Sequence, residues 1–123
     1  MFKYGIDILT LKSVNDIANG TLKATINDEA RAKINSCRNK VETIIKSDKV
    51  VYGINTGFGP LCDVQITESE TSLLQKNLLI THAVGVGENI DKQLSKIMMI
   101  CKVHALCQGF SGVRFEQIGR AHV

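Results

Sequence analysis

The chain has 123 residues, 44% of them hydrophobic, with 15 basic against 12 acidic side chains and a formal net charge of +3. That is enough apolar material to bury a core and too much for a disordered chain. The charge is too mild and too scattered for a nucleic-acid surface, and four Phe and two Tyr with no Trp supply no base-stacking platform.

The opening stretch, MFKYGIDILTLKSV, has neither a long apolar core nor a small-residue cleavage site, so no secretory signal is expected. No run approaches the roughly 18 apolar residues that cross a bilayer. The cysteines Cys37, Cys62, Cys101 and Cys107 show no C-x-x-C spacing, which excludes the usual zinc and redox motifs. Reduced thiols in a cytoplasmic protein are the expectation.

Ser13 is predicted to cap a short helix, VNDIAN, closed by Gly20. Asn27 caps a longer one, with Asp28 and Glu29 in the first turn, where the helix dipole favours negative charge. Ala30, Ile34, Cys37, Val41, Ile44 and Ile45 follow at steps of three and four, one apolar face running to about Lys46. A short β-branched run, KVVYGI, then leads into a glycine loop, Val51 to Pro60, which reads VYGINTGFGP.

Beyond the loop, Thr67-x-x-Glu70 is a capping box for a helix through SETSLLQKNLLITH. Leu74, Leu78 and His82 share one face, read as the inward one, and Gly85 and Gly87 stop the helix. Asp91 caps the next helix, KQLSKIMMICKVHALCQ, with Gly109 past its end. From Ile97 to Cys107 it is apolar nearly all round, so neighbours are expected on every side. A piece of this size cannot surround it. The chain therefore reads as mainly α, the opening of a larger helical bundle.

The glycine loop admits three readings. Glycine with Asn and Thr most often makes a turn. A phosphate cradle is less well supported, because G-x-x-x-G-x-G matches neither common phosphate motif. The third is an active-site loop carrying a tyrosine acid/base group. A phenol has a reference pKa of about 10 and acts near neutrality only among donors or positive groups. Residue chemistry alone leaves these open. GFSGV around Ser111 lacks the second glycine of a nucleophile elbow and reads as a turn. His104, inside the apolar helix, reads as a hydrogen-bonded core histidine. His82 reads as a buried capping histidine or as a site residue.

The last six residues, IGRAHV, are the translation of a widely used sequencing adapter, ATC GGA AGA GCA CAC GTC, whose next codon is a stop. Residues 117–123 are therefore expected to be a non-native tail, with Arg120 and His122 carrying no functional weight. Residues 1–116 are expected to be the truncated N-terminal portion of a longer domain.

Three stretches together, VYGINTGFGPL, LLQKNLLITHAVGVG and KVHALCQGFSGVRFE, resemble the N-terminal part of the aromatic amino acid ammonia-lyases and aminomutases, the histidine ammonia-lyases above all. The resemblance runs from about Leu9 to Glu116. It implies a large helical-bundle fold with a glycine-rich active-site loop. It also implies elimination of ammonia from an amino acid, with 4-methylidene-imidazol-5-one (MIO), formed from an internal Ala-Ser-Gly, as the electrophile. By the same resemblance Tyr52 is the catalytic acid/base group, its glycines letting the loop close over substrate. Gly59 lies near the bound substrate, and His82 contacts the imidazole of histidine. L-histidine is then the substrate, urocanate the product, histidine degradation the context and a homotetramer the assembly. No Ala-Ser-Gly occurs in this sequence, so the cofactor is expected to come from residues outside it. Competing readings are a tyrosine or phenylalanine ammonia-lyase or an aminomutase, and, in another class, a small helical binding module.

Overall fold

The computed structural model describes residues 1–47, 49–57, 59, 64 and 66–121. Among the described residues, five helices and two very short strands follow one another: β1 (Phe2–Lys3), α1 (Leu11–Ala18), β2 (Ala24–Thr25), α2 (Asp28–Ile45), α3 (Glu68–His82), α4 (Lys92–Cys107) and α5 (Phe115–Ala121). They form two compact units, residues 1–40 with 89–123 and residues 41–88. The chain is mainly helical, as its periodicities predict.

In the first unit, β1 and β2 pair in parallel, Phe2 opposite Ala24 and Lys3 opposite Thr25, with α1 as the crossover. No strand is expected there, because two-residue strands have no period to read. Helix α1 begins earlier than its sequence suggests. Thr10, extended at φ −112°, is the N-cap, and Ser13 is its partner in a capping box. Thr10 Oγ1 accepts from the Ser13 N–H at 3.1 Å while Ser13 Oγ accepts from the Thr10 N–H at 2.8 Å. A serine three residues inside a helix satisfies the cap backbone as Glu does in the commoner form of the box, so the cap stands three residues before the Ser13 that the sequence suggests.

The other caps stand where the sequence places them. Asn27 Oδ1 accepts from the Ala30 N–H at 3.0 Å. Asp91 Oδ1 accepts from the N–H groups of Gln93 and Leu94 at 2.8 and 3.1 Å. Gly109, past the end of α4, has φ +79° and lies against the backbone of Lys33, where a Cβ would come within 2.8 Å. Gly5 meets a tighter limit: at φ +76°, a Cβ there would stand 2.2 Å from the Cys107 carbonyl oxygen. Both positions require glycine.

The core gathers Phe2, Tyr4, Val14, Ala18, Ile34, Ile100, Val103, Cys107 and Ile118. Helix α4 is its centre, packed against α1 and α5. Arg31 of α2 stacks its guanidinium 3.9 Å over the Phe115 ring, a cation–π contact. Ile118 is fully buried, so α5 takes part in packing whatever the origin of its residues. The uniform apolarity of α4 does not translate into uniform burial. Ile100, Val103 and Cys107 are buried, while Leu94, Met98 and Met99 stay about half exposed. One side is covered and the other bare, which is what an all-apolar helix shows when neighbours occupy only one face.

His104 is half-buried beside the rings of Phe2 and Tyr4, and its Nδ1 accepts from the Gly5 N–H at 3.3 Å. It is a hydrogen-bonded core histidine, as its place in the apolar run suggests. Burial pushes the neighbouring Cys107 thiol up to about 11, which makes it an inert packing group. Cys62 lies outside the described residues; Cys37, Cys101 and Cys107 are free thiols. Among the described residues no helix is long and apolar enough to cross a membrane, and no cluster of three metal-ligating side chains occurs.

The imidazole of His104 gives a pH prediction. Burial lowers its pKa below the ordinary 6.5, against an opposing pull from Asp7. The unfolded chain then holds the proton more readily than the folded one. The contribution to stability is full above about pH 6.5 and is lost as pH falls through the lowered folded value. The denaturant midpoint of the first unit should therefore drop between about pH 7.5 and about pH 5.5, and the drop should shrink in His104→Gln, which does not titrate there. An equal drop in the two proteins would contradict this assignment.

Candidate active site

The three residues singled out from the sequence all fall in the unit formed by residues 41–88. Tyr52 and Gly59 belong to the glycine loop, and His82 is the last residue of α3. Phe58, Pro60 and Leu61 of the loop lie outside the described residues.

The described stretch from Val51 to Gly57 is a turn tied by its own polar groups. Ile54 and Asn55 N–H donate to the Val51 carbonyl at 3.1 and 3.3 Å. The Asn55 side chain works in both directions. Its Oδ1 accepts from the Val51 N–H at 2.8 Å, and its Nδ2 donates to the Lys49 carbonyl at 2.8 Å. Its backbone carbonyl accepts from the Ile66 N–H at 3.0 Å, tying the middle of the loop to the residue just before the α3 cap. Thr56 adds a second tie, accepting from the Gly53 N–H at 3.4 Å and donating to the Gly57 carbonyl at 3.0 Å. Gly53 turns the chain at φ +76°.

Asn55 and Thr56 are 5% and 4% exposed, whereas Tyr52 is 63% exposed. The segment through Thr56 is thus ordered by buried polar side chains, with the phenol displayed at its surface. Sequence reasoning treated Asn55 and Thr56 as loop composition and missed their part. The available signal was an amide, able to donate and accept at once, set two residues from a glycine in a turn. Gly59, exposed at φ +59°, has nothing within 4 Å of where a Cβ would stand.

Helix α3 begins as its sequence predicts. Glu70 Oε2 accepts from the Thr67 N–H at 3.2 Å while Thr67 Oγ1 accepts from the Glu70 N–H at 3.4 Å. Its far end corrects one expectation: Leu74 and Leu78 are half-buried, but His82 is exposed rather than inward and buried. The ring does cap its own helix. Nδ1 stands 2.9 Å from the Leu78 carbonyl oxygen and 3.1 Å from Thr81 Oγ1. A carbonyl only accepts, so Nδ1 carries the proton, and in the neutral ring Nε2 is left as a hydrogen-bond acceptor. Gln75, Leu78, Leu79, His82 and Ala83 line a shallow surface depression around this ring. The arrangement offers an exposed phenol, an open glycine backbone and an imidazole whose tautomer is set by its own helix. None of the described residues can form an MIO group, since no Ala-Ser-Gly occurs in the sequence.

The chain as a whole is similar to known proteins. A family model described as aromatic amino acid lyase matches residues 9–122. Histidine ammonia-lyases of Shewanella woodyi and Shouchella clausii are 40% and 41% identical over 110 residues, 89% of this chain and 22% of each relative. The crystal structure of histidine ammonia-lyase from Trypanosoma cruzi is similar with a TM-score of 0.84 at 30% identity, over 98% of this chain and 23% of that one. Tyrosine aminomutase from Streptomyces globisporus is similar with a TM-score of 0.85 at 26% identity and the same coverage. The chain thus spans about a fifth of the length of the curated relatives it matches. With a family model over nearly all its residues and a matching helical fold, this chain belongs to the aromatic amino acid lyase family.

Proposed function

We propose that the protein containing these residues is a histidine ammonia-lyase, eliminating ammonia from L-histidine to leave urocanate as the first step of histidine degradation. The observation that carries the substrate is His82. Its Nδ1–H is committed to the Leu78 carbonyl, so the neutral ring has an accepting Nε2 to offer. The imidazole N–H of histidine is a matching donor. The identity of about 40% to histidine ammonia-lyases supports the same reading.

Tyr52 moves a proton in this mechanism, its exposed phenol reaching the substrate from a turn that holds its neighbours still. Gly59 lets the backbone approach the substrate closely, since no side chain stands there. The family's MIO electrophile would activate the amine for departure. It would come from an Ala-Ser-Gly in residues outside this sequence. The active assembly is a homotetramer in the cytoplasm. Residues 117–123 are non-native on this reading, and the natural chain continues from Glu116.

A second reading has a specific observation behind it. The structural similarity includes a tyrosine aminomutase. A phenol O–H can donate to His82 Nε2 as an imidazole N–H can, whereas phenylalanine offers no donor and leaves the acceptor unpaired. A site built around a hydrogen bond discriminates strongly against an analogue lacking it.

The gene read past the Glu116 codon from source DNA should continue in frame to an Ala-Ser-Gly. A genuine stop after IGRAHV would contradict the proposal. In the full-length protein, Tyr52→Phe should lower turnover of histidine by about 10² to 10⁴-fold, the range of positioned acid/base groups. Near-normal turnover would remove Tyr52 from the chemistry. His82→Leu should lower kcat/KM for histidine more than for phenylalanine. Equal losses would reduce His82 to a helix cap, and a preference for tyrosine in the wild-type protein would favour the second reading.

A further inference from the structure

We propose that Asn55 is a positioning residue for Tyr52: it bridges Lys49 and Val51 and thereby fixes the backbone on which the phenol stands. The inference rests on the reading of Tyr52 as the acid/base group. Three observations meet at this point. The Asn55 amide accepts from the Val51 N–H and donates to the Lys49 carbonyl, both at 2.8 Å, so it spans the segment leading into Tyr52. Its backbone N–H closes the turn on the Val51 carbonyl at 3.3 Å. On the other side of the tyrosine, Thr56 Oγ1 receives the Gly53 N–H at 3.4 Å. Both neighbours of Tyr52 are therefore tied to one dipeptide, Asn55-Thr56.

Burial separates the roles. Asn55 is 5% exposed and Tyr52 63% exposed, so the amide is buried in the turn while the tyrosine faces solvent. An amide at this depth, with acceptor and donor both engaged, defines one geometry, because any slip leaves a buried polar group unpaired. Gly53 at φ +76° could otherwise swing freely. The glycines permit the turn and Asn55 selects its geometry. A proton transfer needs donor and acceptor within hydrogen-bond reach, and a displacement of about 1 Å can cost about 10²-fold in rate.

The test uses the full-length protein with histidine as substrate. Asn55→Ala removes both side-chain bonds. Asn55→Asp keeps an acceptor for the Val51 N–H and loses the donor to Lys49. The expected kcat falls roughly 10- to 100-fold in Asn55→Ala and less in Asn55→Asp, with KM little changed. In a Tyr52→Phe background, Asn55→Ala should add almost nothing, because the group being positioned is already gone. Near-UV circular dichroism checks that each variant is folded. If Asn55→Ala does not fold, Asn55→Asp carries the comparison, alone and with Tyr52→Phe. Wild-type kcat in Asn55→Asp would then overturn the proposal. Additive losses in the double variant, or a change confined to KM, would overturn it too, as would failure of both Asn55 variants to fold. Tyr52→Phe with wild-type turnover has a different meaning: the reading of Tyr52 fails, and that single variant reports it independently of Asn55.

Discussion

Apolar burial among the described residues is concentrated in one of the two units, and the candidate site residues lie in the other. Every buried hydrophobic side chain among the described residues belongs to residues 1–40 or 89–123. In residues 41–88 the only buried side chains described are polar, those of Asn55 and Thr56. Large aliphatic side chains of α3 stand exposed, Leu73, Leu79 and Ile80 among them. Burial of apolar surface is the main favourable term in folding, roughly 1.5 to 3 kcal/mol for each large side chain. The unit bearing Tyr52, Gly59 and His82 therefore relies on one capping box, the His82 helix-end cap and turn hydrogen bonds, each hydrogen bond with a net worth of only about 1 kcal/mol.

That imbalance accounts for what the site does have. A capping box starts α3, and the His82 ring closes its last turn on the Leu78 carbonyl. The buried Asn55 amide ties the glycine turn to Lys49 and Val51. These interactions are short in sequence and need no core. They set geometry locally: the capping box starts a helix, the His82 bond fixes a tautomer and the Asn55 amide a backbone path. The exposed apolar surface of α3, and that of α4 at Leu94, Met98 and Met99, is the kind that further protein covers. A chain one-fifth the length of its relatives is consistent with that.

Local signals were the legible part of the sequence. Asn27, Asp91 and the Thr67–Glu70 pair announced three helix starts because a cap depends only on residues three positions apart. Gly109 marked a helix end for the same reason. Ser13 misled because a serine serves equally as N-cap or as third residue of the box, and Thr10 was the other half of the pair. The β1–β2 pairing joins residues more than twenty apart through two-residue strands, which no periodicity reveals. The spacing of Leu74, Leu78 and His82 gave the shared face correctly but not its burial, since burial depends on what lies opposite. The motif singles out Tyr52 as a candidate, while nothing in the sequence separates Asn55 from an ordinary turn residue; its bonds to Lys49 and Val51 appear only in the fold.

Amide hydrogen exchange on the 123-residue chain measures this division directly. The account predicts slow exchange through the buried turns of α4, at Ile100, Val103 and Cys107, and fast exchange along α3, at Leu74 and Leu78, because local openings cost least where few apolar contacts are lost. In the full-length protein α3 should become as protected as α4. Equal protection of α3 and α4 in the short chain would contradict the claim that the site-bearing unit lacks a core of its own.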